Sequence, residues 1–205
     1  MIAPLRLYSK SGVQTDWTCP RKRYWNYEYM GRGVTSGTTH LELYLGATLH
    51  DGLAGIAHMH SNGNVDIDLL ATTAHKQMFD SLMEKSIGMQ EEFDFAQEQS
   101  ALVEGLLRGF YKHVWPRLMK EYPVIKVIER EMIYKHDGLG FMSKPDLVVA
   151  DNEGNNWYVE YKSTSSKKEG WINSWSTAIQ LHSTIRAIES TIGEKVVGVI
   201  VQGLY

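Results

Sequence analysis

The stretch from Lys144 to Lys162, KPDLVVADNEGNNWYVEYK, constrains this chain more than any other. Two short apolar runs, Leu147 to Ala150 and Trp157 to Val159, flank a polar segment from Asp151 to Asn156. β-rich runs separated by Asp, Asn and Gly predict a hairpin. Asp146 then begins the first strand, and Glu160 and Lys162 lie near the end of the second, one residue apart. Side chains of a strand alternate between faces, so Glu160 and Lys162 project together and Tyr161 projects the other way. The hairpin carries Asp146 towards that pair, which predicts two carboxylates and one ammonium on one sheet face. The bland alternative is a cross-strand salt bridge on a surface hairpin, which contributes little energy.

Two carboxylates held together repel unless a cation lies between them. Hard oxygen donors suit magnesium or manganese. A lysine beside such an ion can orient or deprotonate a water, or stabilise charge building on a phosphate. The pattern Pro145-Asp146, a hairpin, then Glu160-Tyr161-Lys162 resembles the PD-(D/E)XK nuclease superfamily, in the branch of RecB-type nuclease domains and phage exonucleases. The resemblance implies an α/β fold of restriction-endonuclease type: a central mixed β-sheet flanked by helices, with a helical insertion. It implies a deoxyribonuclease that hydrolyses phosphodiester bonds with Mg²⁺ or Mn²⁺. Asp146 and Glu160 then serve as metal ligands and Lys162 as the catalytic ammonium, with the Tyr161 carbonyl as a further ligand.

Other segments extend the match. Gly46-x-x-x-His50-x-x-Leu53 is similar to a helix that carries an additional metal-ligating histidine in RecB-like nucleases, so His50 is a candidate ligand. His58 and His60 fall in a Gly- and Asn-rich stretch expected to be exposed. Val124 to Tyr134 reads as one strand, and the family places a glutamate ligand there just before an apolar triplet. Glu131 precedes Met132-Ile133-Tyr134 and is the first choice, with Glu129 second. Gln180 matches the first position of a Gln-x-x-x-Tyr signature, but Thr184 stands where the tyrosine belongs. Gln180 is therefore either a DNA- or water-positioning residue or a solvated helix glutamine. Cys19, in Cys-Pro-Arg-Lys-Arg-Tyr, resembles the first cysteine of iron–sulfur relatives such as the CRISPR adaptation nucleases. It is the single cysteine of the chain, so no internal disulfide or self-contained four-cysteine cluster is expected.

From Asp16 to Tyr29 aromatic and basic residues alternate densely. They read either as a nucleic-acid wall, with Arg21, Lys22 and Arg23 meeting phosphates, or as an amphipathic helix with its rings in the core. Lys167 and Lys168, in the polar loop after Lys162, are further phosphate candidates. Asp68 to Tyr122 is helical by its three- and four-residue apolar spacing, broken at Gly88 and bent at Pro116. The helix from Trp171 to Ile192 and the apolar strand Val196 to Val201 complete the order.

The length of 205 residues predicts a single domain over 1–205, with the helical part at about 68–122 and a catalytic sheet core at about 124–205. An apolar strand so near the end implies a truncated chain or a minimal phage version. The net charge of −3 excludes a globally basic nucleic-acid binder, so DNA must meet a local patch. With no long apolar run or signal peptide, a cytoplasmic location in a bacterial or phage-infected host is expected, without membrane association. The implied partner is DNA, as ends or single strands, with a recombination or helicase protein beside it. The rival reading is a non-catalytic nucleic-acid-binding or assembly module on a nuclease fold.

Overall fold

The computed structural model describes residues 6–31, 33–34, 41–84, 90–164, 175 and 179–204. Among them the strands form two mixed sheets. β1 (Arg6–Ser9) lies parallel to β4 (Leu139–Ser143), which pairs antiparallel with β3 (Met132–His136). The second sheet has the order β2 (Val124–Ile128), β5 (Leu147–Ala150), β6 (Asn156–Ser163) and β7 (Val196–Leu204), of which β6 and β7 are parallel and the others antiparallel.

The predicted hairpin is β5–β6, in the register Leu147↔Val159, Val148↔Tyr158, Val149↔Trp157, Ala150↔Asn156. Its turn is closed by Asp151. That carboxylate accepts from the backbone N–H groups of Glu153 and Asn155, both at 2.9 Å, and from the Trp157 indole at 3.0 Å. The Trp157 hydrogen bond, with those from Asn155 and Glu153, pulls the Asp151 pKa down to about 2. A carboxyl whose pKa falls on folding stabilises the native state above its unfolded value and loses that contribution as pH falls towards the native one. Asp151→Asn cannot accept from both the turn and the indole. Its melting temperature should lie below wild type at pH 7, and the gap should close between about pH 4 and pH 2. Equal melting curves at pH 7 would refute this role.

The strand expected over Val124 to Tyr134 is instead two strands in different sheets. Glu129, at φ 41°, ends β2, and the chain turns into β3. Glu131 therefore precedes a strand of one sheet, whereas Asp146, Glu160 and Lys162 lie with the other. An Asp137-Gly138 turn joins β3 to β4, with φ of 49° and 77° at its two residues, the backbone that such two-residue loops require.

Helices cover the four-stranded sheet on both faces. α1 (Lys10–Thr18) is capped by Ser9, and α2 (Pro20–Arg23) starts at Pro20. α3 (Leu41–Ser61) holds the whole Gly46–Leu53 spacing. The helical middle resolves into α4 (Ile67–Met83), α5 (Gln90–His113) and α6 (Trp115–Glu121), with Pro116 opening α6 rather than bending a longer helix. Gly88 lies outside the described residues. Leu49, Leu53 and Ile56 of α3 and Val103, Leu107 and Phe110 of α5 bury against Leu147, Val149, Val159 and Tyr161 on one sheet face. Val148 and Tyr158 face the other way, onto Leu181, Ala187 and Ile188 of α7 (Ile179–Ile192). The alternation along β5 and β6 thus sorts the residues into two cores.

The β6–β7 pair depends on a close approach. A Cβ at Gly198 would lie 2.3 Å from Trp157, whose ring is held by Asp151 and by an edge-on contact with Tyr122 at 5.5 Å. Gly198→Ala should cost about 1–3 kcal/mol by overpacking, read from the urea midpoint; an unchanged midpoint would show that the ring yields. No helix among the described residues is long and apolar enough to cross a membrane.

Candidate metal centre

The hairpin register, continued by one position, sets Asp146 opposite Glu160, and both lie at the same end of the sheet. Asp146 is 8% exposed and Glu160 2%. Carboxylates so buried need partners, and each has them. The Tyr161 N–H donates to Asp146 Oδ2 at 2.7 Å, and His50 Nδ1 donates to Asp146 Oδ1 at 2.9 Å from a residue 96 positions away. Glu160 Oε1 accepts from Gln180 Nε2 at 2.6 Å and is ion-paired with Lys162 Nζ. The Lys162 ammonium also lies over the Trp175 ring, 5.8 Å from its centroid.

α3 brings His50 from one face of the sheet and α7 brings Gln180 from the other. The Tyr161 ring points back into the helical core, 5.5 Å from Phe110, so its neighbours Glu160 and Lys162 face the α7 side. That is the alternation expected from the sequence.

Glu129 is the third carboxylate. Its backbone N–H donates to the Asp146 carbonyl at 3.1 Å, its Oε1 lies 4.0 Å from His50 Nδ1, and its Oε2 accepts from Lys144 Nζ at 2.6 Å. Ligand atoms of His50, Glu129 and Asp146 lie within 4.8 Å of one another. The first choice, Glu131, is exposed and outside this group, whereas the second choice, Glu129, is in it. A left-handed φ is strained for a glutamate, and such outliers concentrate at functional sites. No sequence signal marked that backbone, and the Lys144 contact was likewise missed.

The electrostatics follow from this crowding. Burial, then the Asp146 charge, pushes the Glu160 pKa up, with Lys162 opposing. Burial disfavours protonated His50, but the hydrogen bond and charge of Asp146, with Glu129, outweigh it and hold the His50 pKa above its ordinary value. Burial, then Asp146, raises the Tyr161 hydroxyl pKa, so that hydroxyl stays protonated. Two converging carboxylates and one imidazole are a donor set that suits a hard divalent cation tolerant of nitrogen. His50, Glu129 and Asp146 fit such an ion, with Glu160 beside them.

Other candidates are placed elsewhere. Thr184, at the tyrosine position of the Gln-x-x-x-Tyr signature, is buried 3.4 Å from the Ser143 hydroxyl. His58 is exposed, and His60 accepts from the Trp115 indole at 3.3 Å. Arg23 is committed to Glu28 at 2.6 Å and to the Tyr8 ring, while Arg21 and Lys22 are exposed. Lys167 and Lys168 lie outside the described residues.

No curated protein matches the sequence. A model of the PD-(D/E)XK nuclease superfamily matches residues 8–191, a span that holds every residue of this centre. With the α/β architecture and the Asp146, Glu160 and Lys162 arrangement, that match identifies the chain as a member of the PD-(D/E)XK nuclease superfamily.

Proposed function

We propose that this protein is a metal-dependent DNA exonuclease of the RecB-like branch, hydrolysing phosphodiester bonds at DNA ends. The observation that carries the reading is the convergence of His50, Glu129 and Asp146 beside the Glu160–Lys162 pair. His50, Glu129, Asp146 and Glu160, with the Tyr161 carbonyl, would hold Mg²⁺ or Mn²⁺. When bound, that ion supplies charge neutralisation at the phosphate and a more acidic water.

The protein's own groups do the rest. The Tyr161 N–H and His50 fix both oxygens of Asp146, and Gln180 fixes Glu160 Oε1, so the donors are held before substrate arrives. Lys162 presents an ammonium that can orient the attacking water and stabilise charge on the phosphate oxygens. The attacking oxygen forms its bond to phosphorus as the ester P–O bond breaks, and the leaving oxygen takes a proton. The choice of an exonuclease rests on the resemblance to RecB-type and phage enzymes.

Linear duplex DNA incubated with Mn²⁺ or Mg²⁺ should release acid-soluble nucleotides, a covalently closed circle should not, and EDTA should stop the reaction. Cutting of the closed circle overturns the exonuclease assignment. Intact linear DNA, still bound by the protein, favours the non-catalytic binding module.

The two glutamates separate in a second measurement. Glu129→Gln should weaken Mn²⁺ binding by about 10-fold or more in a calorimetric titration, whereas exposed Glu131→Gln should bind like wild type. The reverse order would return Glu131 to the site.

A further inference from the structure

The turn after α2 has no place in the core. Tyr24–Glu28 forms a single π-helical turn, and neither it nor Pro20–Arg23 contains a buried residue. Yet the turn holds Tyr24, Trp25 and Tyr27, which are 46%, 41% and 38% exposed. Large rings are ordinarily drawn inside, and π-turns recur at functional sites. Tyr24 and Trp25 meet edge-on at 5.5 Å, and Trp25 meets Tyr29 at 4.7 Å, so the rings brace one another on the surface. The segment ends at Met30 with φ 51°, a left-handed residue without glycine's freedom.

Charge decides what such a patch attracts. Pro20–Glu28 carries three cations against one anion in a chain of net charge −3. The one anion, Glu28, is taken by Arg23, which leaves Arg21 and Lys22 exposed next to the rings. Exposed rings beside exposed cations match a strand of unstacked bases on a phosphate backbone. A duplex offers phosphates but hides its base faces. The patch also continues from α1, which rests against α7 and β4, and α7 carries Gln180 to Glu160.

We propose that Tyr24, Trp25 and Tyr27, with Arg21 and Lys22, form a stacking platform for single-stranded DNA, so that the substrate reaches the metal centre as a single strand. The choice of ligand rests on the nuclease reading, but binding is measurable without cleavage.

The test is fluorescence anisotropy of labelled d(T)20 and of a blunt 20-base-pair duplex with the full chain in EDTA. Wild type should bind d(T)20 more tightly. Trp25→Ala should weaken d(T)20 by about 10-fold or more and leave the duplex unchanged. Trp25→Phe should restore most of the affinity, since a ring face remains. Arg21→Ala with Lys22→Ala should weaken both ligands and flatten the salt dependence. Melting curves should match wild type, because none of these side chains is buried.

Equal d(T)20 affinity for wild type and Trp25→Ala overturns the platform. So does a parallel loss of both ligands in Trp25→Ala, or failure of Trp25→Phe to rescue. Wild-type preference for r(U)20 over d(T)20 overturns the DNA assignment. Failure of wild type to bind d(T)20 also overturns the platform, and leaves the rings as a contact for a protein partner. Nuclease activity on duplex ends could survive each of these outcomes. Conversely, d(T)20 binding by a protein that cuts no DNA would sink the nuclease reading alone.

Discussion

Lys162→Ala is expected to slow metal-dependent DNA cleavage by about two to four orders of magnitude, the range lost when a positioned proton-transfer or charge-stabilising group is removed. The geometry argues for a kinetic rather than a folding defect. Lys162 is partly exposed, and its ammonium pairs with Glu160 and lies over the Trp175 ring. Without it, Glu160 keeps the Gln180 hydrogen bond, and burial already favours its neutral form. Folding should therefore tolerate the change. Lys162→Arg keeps the charge but replaces a compact ammonium with a planar fork, so it should recover only part of the rate. Single-turnover cleavage of a labelled duplex at saturating Mn²⁺, beside a Mn²⁺ titration, separates chemistry from metal binding. A Lys162→Ala protein that cuts within about threefold of wild type would remove Lys162 from the mechanism.

The second large effect lies in the core that carries the centre. Phe110 of α5 is 2% exposed, and its ring sits 5.5 Å from Tyr161 and 6.1 Å from Trp115. Phe110→Ala should cost about 3–5 kcal/mol, as transfer and cavity contributions add. That is a large share of the roughly 5–15 kcal/mol by which a domain is stable. Tyr161 lies between Glu160 and Lys162 in the chain, so a cavity behind its ring should also loosen the centre and lower kcat. Leu102 of the same helix points to solvent, and Leu102→Ala should stay within about 0.5 kcal/mol. Urea denaturation of the two variants provides the comparison. Equal midpoints would show that α5 does not brace the sheet through Phe110.

Much of this centre is legible in the sequence. The β5–β6 hairpin, its Asp151 turn, and the shared face of Glu160 and Lys162 follow from a two-residue period and a short polar turn, both local properties of the chain. His50 was chosen by resemblance, and α3 does deliver it to Asp146. Gln180 was left between two roles, and its hydrogen bond to Glu160 places it at the centre. The aromatic segment was left between a surface wall and a core helix, and its exposure favours the surface.

Tertiary structure alone decided the rest. Val124 to Tyr134 has a continuous β pattern, yet it breaks at Glu129 because β2 pairs with β5 in one sheet and β3 with β4 in the other. That break turns Glu129 towards His50 and leaves Glu131 exposed. It likewise took the fold to show that Arg23 is held by Glu28 and Tyr8, whereas Arg21 and Lys22 of the same run are exposed. The physical reason is common to these cases. Periodicity and turn chemistry are written within a few residues, whereas strand partners, ion pairs and burial depend on segments brought together only when the chain closes on itself.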